Sequence, residues 1–372
     1  MQSSKINIAY VIWSLGLGGA EQVVINLAKG LDKTRFEVIV CCLNDQGTFA
    51  ESVQKDGIKI YALNKKRGID FSVIPKLMKI FREQKIVIVH THLWGANTWG
   101  RLAAKLAGIP VIIATEHNVD VWKKWYHRFI DRIVSLGTDK IIVVSGEVKK
   151  FYRQTVGISE RKLHLVYNGI EPKVKETNVT QLNKLKFEFG ISRESIVLSN
   201  IGRLVEAKAN HIFIEALEIL DREAVFFHAL IVGDGPLKEI LEKKGKHLVD
   251  QKKLTFTGLR KDVDRILDIT DISVLSSTRE GFSIVILESM AHGIPVVATN
   301  VGGNHELIID SETGFLVEPN SPVALANAIR KIIDQKFFAK MGEQARQRVD
   351  TYFSLKQMIR YAEEIYTDWP MP

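Results

Sequence analysis

Thr278-Arg279-Glu280-Gly281-Phe282-Ser283-Ile284-Val285-Ile286-Leu287-Glu288-Ser289-Met290-Ala291-His292-Gly293-Ile294-Pro295-Val296-Val297-Ala298 decides how this chain is read. The apolar run Ile272–Leu275 just before it reads as a buried strand, so Glu280 falls in a polar loop with a glycine behind it. The spacing predicts a helix that begins near Ser283 and stops at Gly293, with Pro295 opening the next strand. One carboxylate then stands above a strand end and a second, Glu288, sits about one turn inside the helix. The helix's unpaired N–H groups lie between them and suit a phosphate. A ligand with a sugar, a diphosphate and a ribose in a row would meet all three elements.

Outward from this stretch the chain repeats one plan twice. In the first half, short runs rich in Val and Ile at Ile6–Trp13, Phe36–Leu43, Ile86–His90, Val111–Ala114 and Lys140–Val144 read as strands buried on both faces of a parallel sheet. Helical patterns at Glu21–Leu31, Ile69–Glu83 and Ala96–Ala107 separate them. The second half has strands near Ile196–Ile201, Phe226–Val232, Leu254–Thr257, Ile272–Leu275, Pro295–Thr299 and Gly314–Val317. Two βαβ halves imply two doubly wound α/β domains, a division that 372 residues also favour. Tyr167-Asn168-Gly169-Ile170-Glu171-Pro172 and the polar stretch to Lys184 read as the linker. Ligands of such sheets bind outside the carboxyl ends of the strands, which places the chemistry in a cleft between the domains.

Residues Glu280 to Glu288, with Ala291-x-Gly293-x-Pro295 after them, resemble the E-x7-E signature of retaining glycosyltransferases of the GT-B fold, specifically family 4. The resemblance covers essentially the whole chain. It implies two Rossmann-like domains facing each other, residues 1–170 and 171–353, with a last helix within 354–372 crossing back onto the first; Ser354–Asp368 has the amphipathic pattern for it. It also implies that Glu280 holds sugar hydroxyls and Glu288 the ribose diol, with Gly281, Phe282, Ser283, Ile284 and Val285 as substrate contacts.

Other motifs join this reading. Gly16-Leu17-Gly18-Gly19-Ala20-Glu21 fails the dinucleotide fingerprint at Glu21 and resembles the family's G-G-A-E loop, so Gly18 and Gly19 are expected against sugar and acceptor beside a helix opening at Glu21. Gly202-Arg203-Leu204-Val205-Glu206-Ala207-Lys208 offers a guanidinium fork and an ammonium, both suited to a diphosphate. In the family the matching cations, here Arg203 and Lys208, neutralise that diphosphate as it leaves. This sequence has Glu-Ala before the lysine where many relatives have Pro-Glu. His117 resembles the family's active-site histidine; His92 would also face the cleft, with a core role as its alternative. Thr257-Gly258-Leu259-Arg260 resembles the segment whose backbone meets the base, and Val232-Gly233-Asp234-Gly235-Pro236 reads as a structural turn. Asp262-Val263-Asp264 matches a metal-binding D-x-D, yet it opens a helix where Asp is a favoured cap. With no Cys or carboxylate cluster beside His90 and His92, neither metal nor cofactor is expected.

Hydrophobic residues at 46% and charged residues at 25% are those of a soluble globular protein. No apolar run is long enough to span a bilayer, Met1–Lys5 lacks a leader's apolar region, and adjacent Cys41 and Cys42 read as reduced core residues, so the expected location is cytoplasmic. The formal charge of +8 is uneven: residues 1–170 hold 25 Lys+Arg against 14 Asp+Glu, a balance of +11 that leaves −3 for the rest. That asymmetry points to an anionic partner for the first half, whether nucleic acid, an acidic membrane surface such as the inner face of the cytoplasmic membrane or a phosphorylated acceptor, with a plain lysine-rich surface as the competing reading. Val121-Trp122-Lys123-Lys124-Trp125-Tyr126-His127-Arg128-Phe129-Ile130 has the aromatic and basic mixture of an interfacial segment, rings down and cations toward headgroups, with packing inside the domain as the competing reading. Nothing interleaves aromatics and cations as a nucleic-acid platform would. The expected activity is transfer of a hexosyl unit, with retention, from a nucleotide-diphospho-sugar (UDP favoured, GDP the alternative) to a sugar or lipid-linked glycan. The alternatives are a GT-B nucleotide-sugar 2-epimerase and a non-catalytic binding partner.

Overall fold

Strands without polar alternation must be covered on both faces, and each Val- and Ile-rich run is so covered. The computed structural model describes residues 5–173 and 178–369. Val174–Thr177 of the expected linker, Met1–Ser4 and Pro370–Pro372 lie outside the described residues. The rest separates into two units, one made of the residues through Gly169 with those from Leu355 on, the other of Ile170–Ser354.

The first unit carries seven parallel strands: β1 (Ile6–Ile12), β2 (Phe36–Cys42), β3 (Lys59–Ala62), β4 (Ile88–His92), β5 (Val111–Glu116), β6 (Lys140–Val143) and β7 (Leu163–Leu165), in the order β3-β2-β1-β4-β5-β6-β7. Two of these, β3 and β7, do not appear in the sequence reading. They are the short edge strands, and β3 is only half covered, so neither reads as an apolar run. The helix Leu355–Thr367 docks on this unit by burying Met358, Ala362, Ile365 and Tyr366. The Tyr366 hydroxyl lies 2.6 Å from His90 Nδ1 and 3.0 Å from the Tyr10 hydroxyl, which anchors the helix under β1 and β4.

In the second unit β8 (Ile196–Ile201), β9 (Phe227–Val232), β10 (Leu254–Gly258), β11 (Ile272–Leu275), β12 (Val296–Thr299) and β13 (Gly314–Val317) form a parallel sheet ordered β10-β9-β8-β11-β12-β13. The expected linker ends early, because Val179–Glu188 is a helix capped by Asn178, whose side chain accepts from Thr180 N and Gln181 N at 3.1 and 3.3 Å. Leu182 and Leu185, three apart among polar neighbours, turn it onto the core. Strand order reverses between β1 and β4 in one sheet and between β8 and β11 in the other. Carboxyl ends at such switch points leave a crevice for ligands.

Candidate functional site

At the second unit's switch point β8 is followed by Gly202, and the Lys208 stem lies over it: a Cβ added at Gly202 would stand 3.5 Å from Lys208 Cε. Ala209, directly after Lys208, is held at φ 44°, a left-handed conformation that costs a non-glycine residue about 1–3 kcal/mol. Lys208 Nζ donates to Glu280 Oε1 at 2.6 Å, and Ser277 Oγ donates to the same oxygen at 2.5 Å. Glu280 Oε2 has no hydrogen-bond partner among the described residues. The carboxylate is thus oriented through one oxygen and presents the other. Arg203 is exposed, and its guanidinium makes no hydrogen bond or ion pair among the described residues.

Residues beyond the sequence reading hold this loop. Thr299 Oγ1 donates to Ser277 O at 2.5 Å, Thr278 N to Ala207 O at 2.8 Å, and Gly303 N to Gly281 O at 2.9 Å. Gly302 sits at φ 54° with its α-carbon against the Glu280 carbonyl, so that any Cβ there would overlap it. Gly302 was visible only as a glycine shortly after a strand, with nothing to say whose backbone it would meet.

The helix Ile284–Ala291 starts with Ser283 as cap residue, without a side-chain hydrogen bond to the first turn. Its leading N–H groups therefore remain for a ligand. The Phe282 ring is buried edge-on to Phe353, centroids 5.5 Å apart, which leaves its main chain as the part a substrate would meet. Ile284 and Val285 are partly exposed, whereas Gly281 and Ser283 are buried. Burial raises the Glu288 carboxyl to about 7; Asp264 adds to the rise and Lys173 opposes it. Leu259, 59% exposed, follows β10. Asp262 does stand at a helix start but makes no side-chain cap bond. The Arg260 guanidinium grips both its oxygens at 2.8 Å and holds its carboxyl below the usual range, while Asp264 pairs with Lys173 at 2.9 Å. Both carboxylates of the D-x-D are thus matched by cations.

In the first unit the helix after the glycine loop opens at Gly19, two residues ahead of expectation, with Gly18 as its cap residue. His92 ends β4 and His117 follows β5, and their rings meet with His92 Nδ1 3.1 Å from His117 Nε2. Both are buried; burial brings His117 down to about 3 and takes His92 well below its ordinary value, so the pair is neutral near pH 7. A neutral His117 offers a ring donor or acceptor and no standing charge. His92 Nε2 is buried with no partner among the described residues, and Leu93 beside it is held at φ 70°.

A buried ionic network next to His117 escaped the sequence reading. Lys123 Nζ lies 2.7 Å from Asp131 Oδ2, 2.9 Å from Asp120 Oδ2 and 2.6 Å from the Tyr152 hydroxyl, which donates to Glu116 Oε2 at 2.7 Å. Lys123 is 1% exposed, so it does not face outward with the aromatic segment. The rings of that segment do: Trp125 is 77% and Phe129 60% exposed, and Trp122, 48% exposed, also packs edge-on against Trp94. Helical spacing puts Trp125 and Phe129, four apart, on one face of the helix Trp125–Leu136, whereas Lys123 precedes that helix and reaches Asp131 within it.

Residues 17–174 match the sequence model of Glycosyltransferase Family 4, and residues 182–348 match that of Glycosyl transferases group 1. The chain is similar to the UDP-Gal:alpha-D-GlcNAc-diphosphoundecaprenol alpha-1,3-galactosyltransferase of Escherichia coli, with 26% identity covering 98% of this chain and 97% of the relative. It is also similar to the N-acetyl-alpha-D-glucosaminyl L-malate synthase of Bacillus anthracis, 28% identical over 80% of this chain and 79% of the relative. Among solved structures, the Anabaena protein HepE in complex with UDP-glucose superposes with a TM-score of 0.87 at 22% identity, over 98% of this chain and 100% of the other. A glycosyltransferase from Rickettsia africae gives 0.85 at 25% identity, with 98% of each chain covered.

Proposed function

Because the chain belongs to glycosyltransferase family 4, with two parallel α/β domains of the GT-B type, we propose that it transfers a hexosyl unit from a nucleotide-diphospho-sugar to an acceptor hydroxyl with retention. The observation that carries this reading is the Lys208–Glu280 pair beside an uncapped helix start, with Glu288 one turn further, all at the switch point of one sheet. Glu280 Oε2 accepts sugar hydroxyls, Glu288 the ribose diol, and the first-turn N–H groups meet the diphosphate. Arg203 and the remaining Lys208 protons balance charge on the departing phosphate, a contribution that grows toward the transition state. The leaving diphosphate takes the acceptor's proton on the same face, and neutral His117, steadied by His92, donates to the transferred sugar. Donor preference goes to UDP, in line with the UDP-sugar in the E. coli relative's name, and no metal step is needed. The acceptor is a glycan, free or lipid-linked, approached from the basic first half; the exposed rings of Trp125 and Phe129 would meet an anionic bilayer.

A thermal-shift panel of UDP- and GDP-sugars tests the donor assignment, since a ligand bound only by the folded state raises the melting midpoint. A UDP-sugar should shift it, and proton NMR of the glycoside formed should show the donor's anomeric configuration. An inverted product, or turnover abolished by EDTA and restored by Mg²⁺, would overturn the mechanism.

A further inference from the structure

Lys65-Lys66-Arg67-Gly68-Ile69-Asp70-Phe71 leaves the carboxyl end of β3, on the same sheet edge as Gly18, His92 and His117. Its fold is built rather than slack. Asp70, itself buried, accepts from Lys66 N at 2.9 Å, from Ser72 N at 3.0 Å and from Ser72 Oγ at 2.7 Å, and these bonds hold its carboxyl down to about 2. Lys65 Nζ turns inward, bonding Lys66 O at 2.9 Å and Gly68 O, and lies 5.7 and 6.0 Å from the ring centres of Trp13 and Trp99.

With its acid and first lysine turned in, the loop displays the rest. Lys66 and Arg67 are exposed, and their side chains make no hydrogen bond or ion pair among the described residues. Ile69 and Phe71 beside them are 76% and 69% exposed, with Phe71 edge-on to Trp99 at 5.7 Å. Trp13, 41% exposed, offers an indole beside Lys65 of the loop. Unpaired cations on an ordered loop, next to an aromatic face and bare apolar side chains, match an amphiphile with an anionic head.

We infer that this loop with Trp13 forms a subsite for a phosphate or diphosphate carried by the acceptor, Lys66 and Arg67 gripping the anion and Trp13 facing the adjoining sugar. The inference rests on the transferase reading above and adds what the acceptor must carry. Three strand steps separate β3 from β4, about 14 Å, which leaves room for a sugar between the anion and a hydroxyl reacting near His92. The anion's source is either a lipid-linked diphosphate, with its chain on Ile69 and Phe71, or a soluble phosphorylated glycan.

Calorimetry with inorganic pyrophosphate and with farnesyl diphosphate, both in saturating UDP, tests the subsite. The wild type should bind at least one of them, and Lys66→Ser/Arg67→Ser should weaken that binding at least tenfold while UDP affinity and melting stay unchanged. If Ile69→Ser/Phe71→Ser weakens farnesyl diphosphate but not pyrophosphate, the source is lipid-linked; if it alters neither, the source is soluble. A wild type that binds neither probe, or a Lys66/Arg67 double variant that binds both as tightly as wild type, overturns the inference. UDP binding is read separately, so its failure would count against the transferase reading and leave the pyrophosphate titration to decide the loop.

Discussion

Glu288 gives the sharpest test, because its chemistry must change across neutral pH. Burial raises its carboxyl to about 7, Asp264 reinforcing and Lys173 opposing. A ribose diol donates two hydrogen bonds, which the carboxylate accepts and the protonated acid accepts poorly. The ionised share of such a group is about 9% at pH 6 and about 91% at pH 8, so affinity for UDP should rise about tenfold between them, roughly 1.4 kcal/mol. Binding near pH 7 should release a fraction of a proton, seen as a dependence of the calorimetric enthalpy on buffer ionisation heat. The β-phosphate of UDP also titrates near 6, so Glu288→Gln is measured in parallel and the difference between the two slopes isolates the side chain. The variant should bind UDP at pH 8 more weakly by about 1.5–3 kcal/mol. The sign for stability runs the other way: the folded value lies above the ordinary one, so the stabilisation is complete below the unfolded value and lost as pH rises through about 7. Glu288→Gln without ligand should therefore lose less stability than wild type from pH 5 to 8. Equal pH slopes in the two proteins, or wild-type affinity in the variant at pH 8, would remove Glu288 from the nucleotide site.

Gly302→Ala should lower stability by about 2–4 kcal/mol, since a Cβ meets the Glu280 carbonyl at a left-handed φ; an unchanged urea midpoint would show that the loop yields freely. Lys123→Met strands buried carboxylates of Glu116 and Asp131 and should cost about 3–5 kcal/mol, whereas a melt like wild type would mean that Tyr152 and the buried Arg101, whose guanidinium lies 4.0 Å from Glu116 and 3.9 Å from Asp131, suffice. Trp125→Ala, at a bare position, should change stability by under about 0.5 kcal/mol and reduce salt-sensitive sedimentation with anionic vesicles; equal sedimentation of both proteins would refute a membrane role for this helix face.

The sequence alone carries the two-sheet architecture, because doubly covered parallel strands need continuous Val and Ile, and those runs stand out in β1, β2, β8 and β11. It also marks Glu280, Glu288 and Lys208 as candidates, since a loop glycine, a helix start and charges at fixed offsets leave a local trace. What it could not carry depends on partners distant in the chain. Lys123 reads along the chain as one cation of an aromatic and basic segment, yet Asp131 and Tyr152 enclose it, and nothing near Phe282 in sequence says that Phe353 covers its ring. The meeting of His92 with His117, 25 residues apart, follows from the pairing of β4 with β5. Gly302 owes its requirement to the backbone of Glu280, and the raised carboxyl of Glu288 to burial and to Asp264. Hydrophobic period and turn chemistry are local and can be read along a line; burial, charge pairing and close backbone approach belong to pairs of residues, and only the folded chain decides which pairs meet.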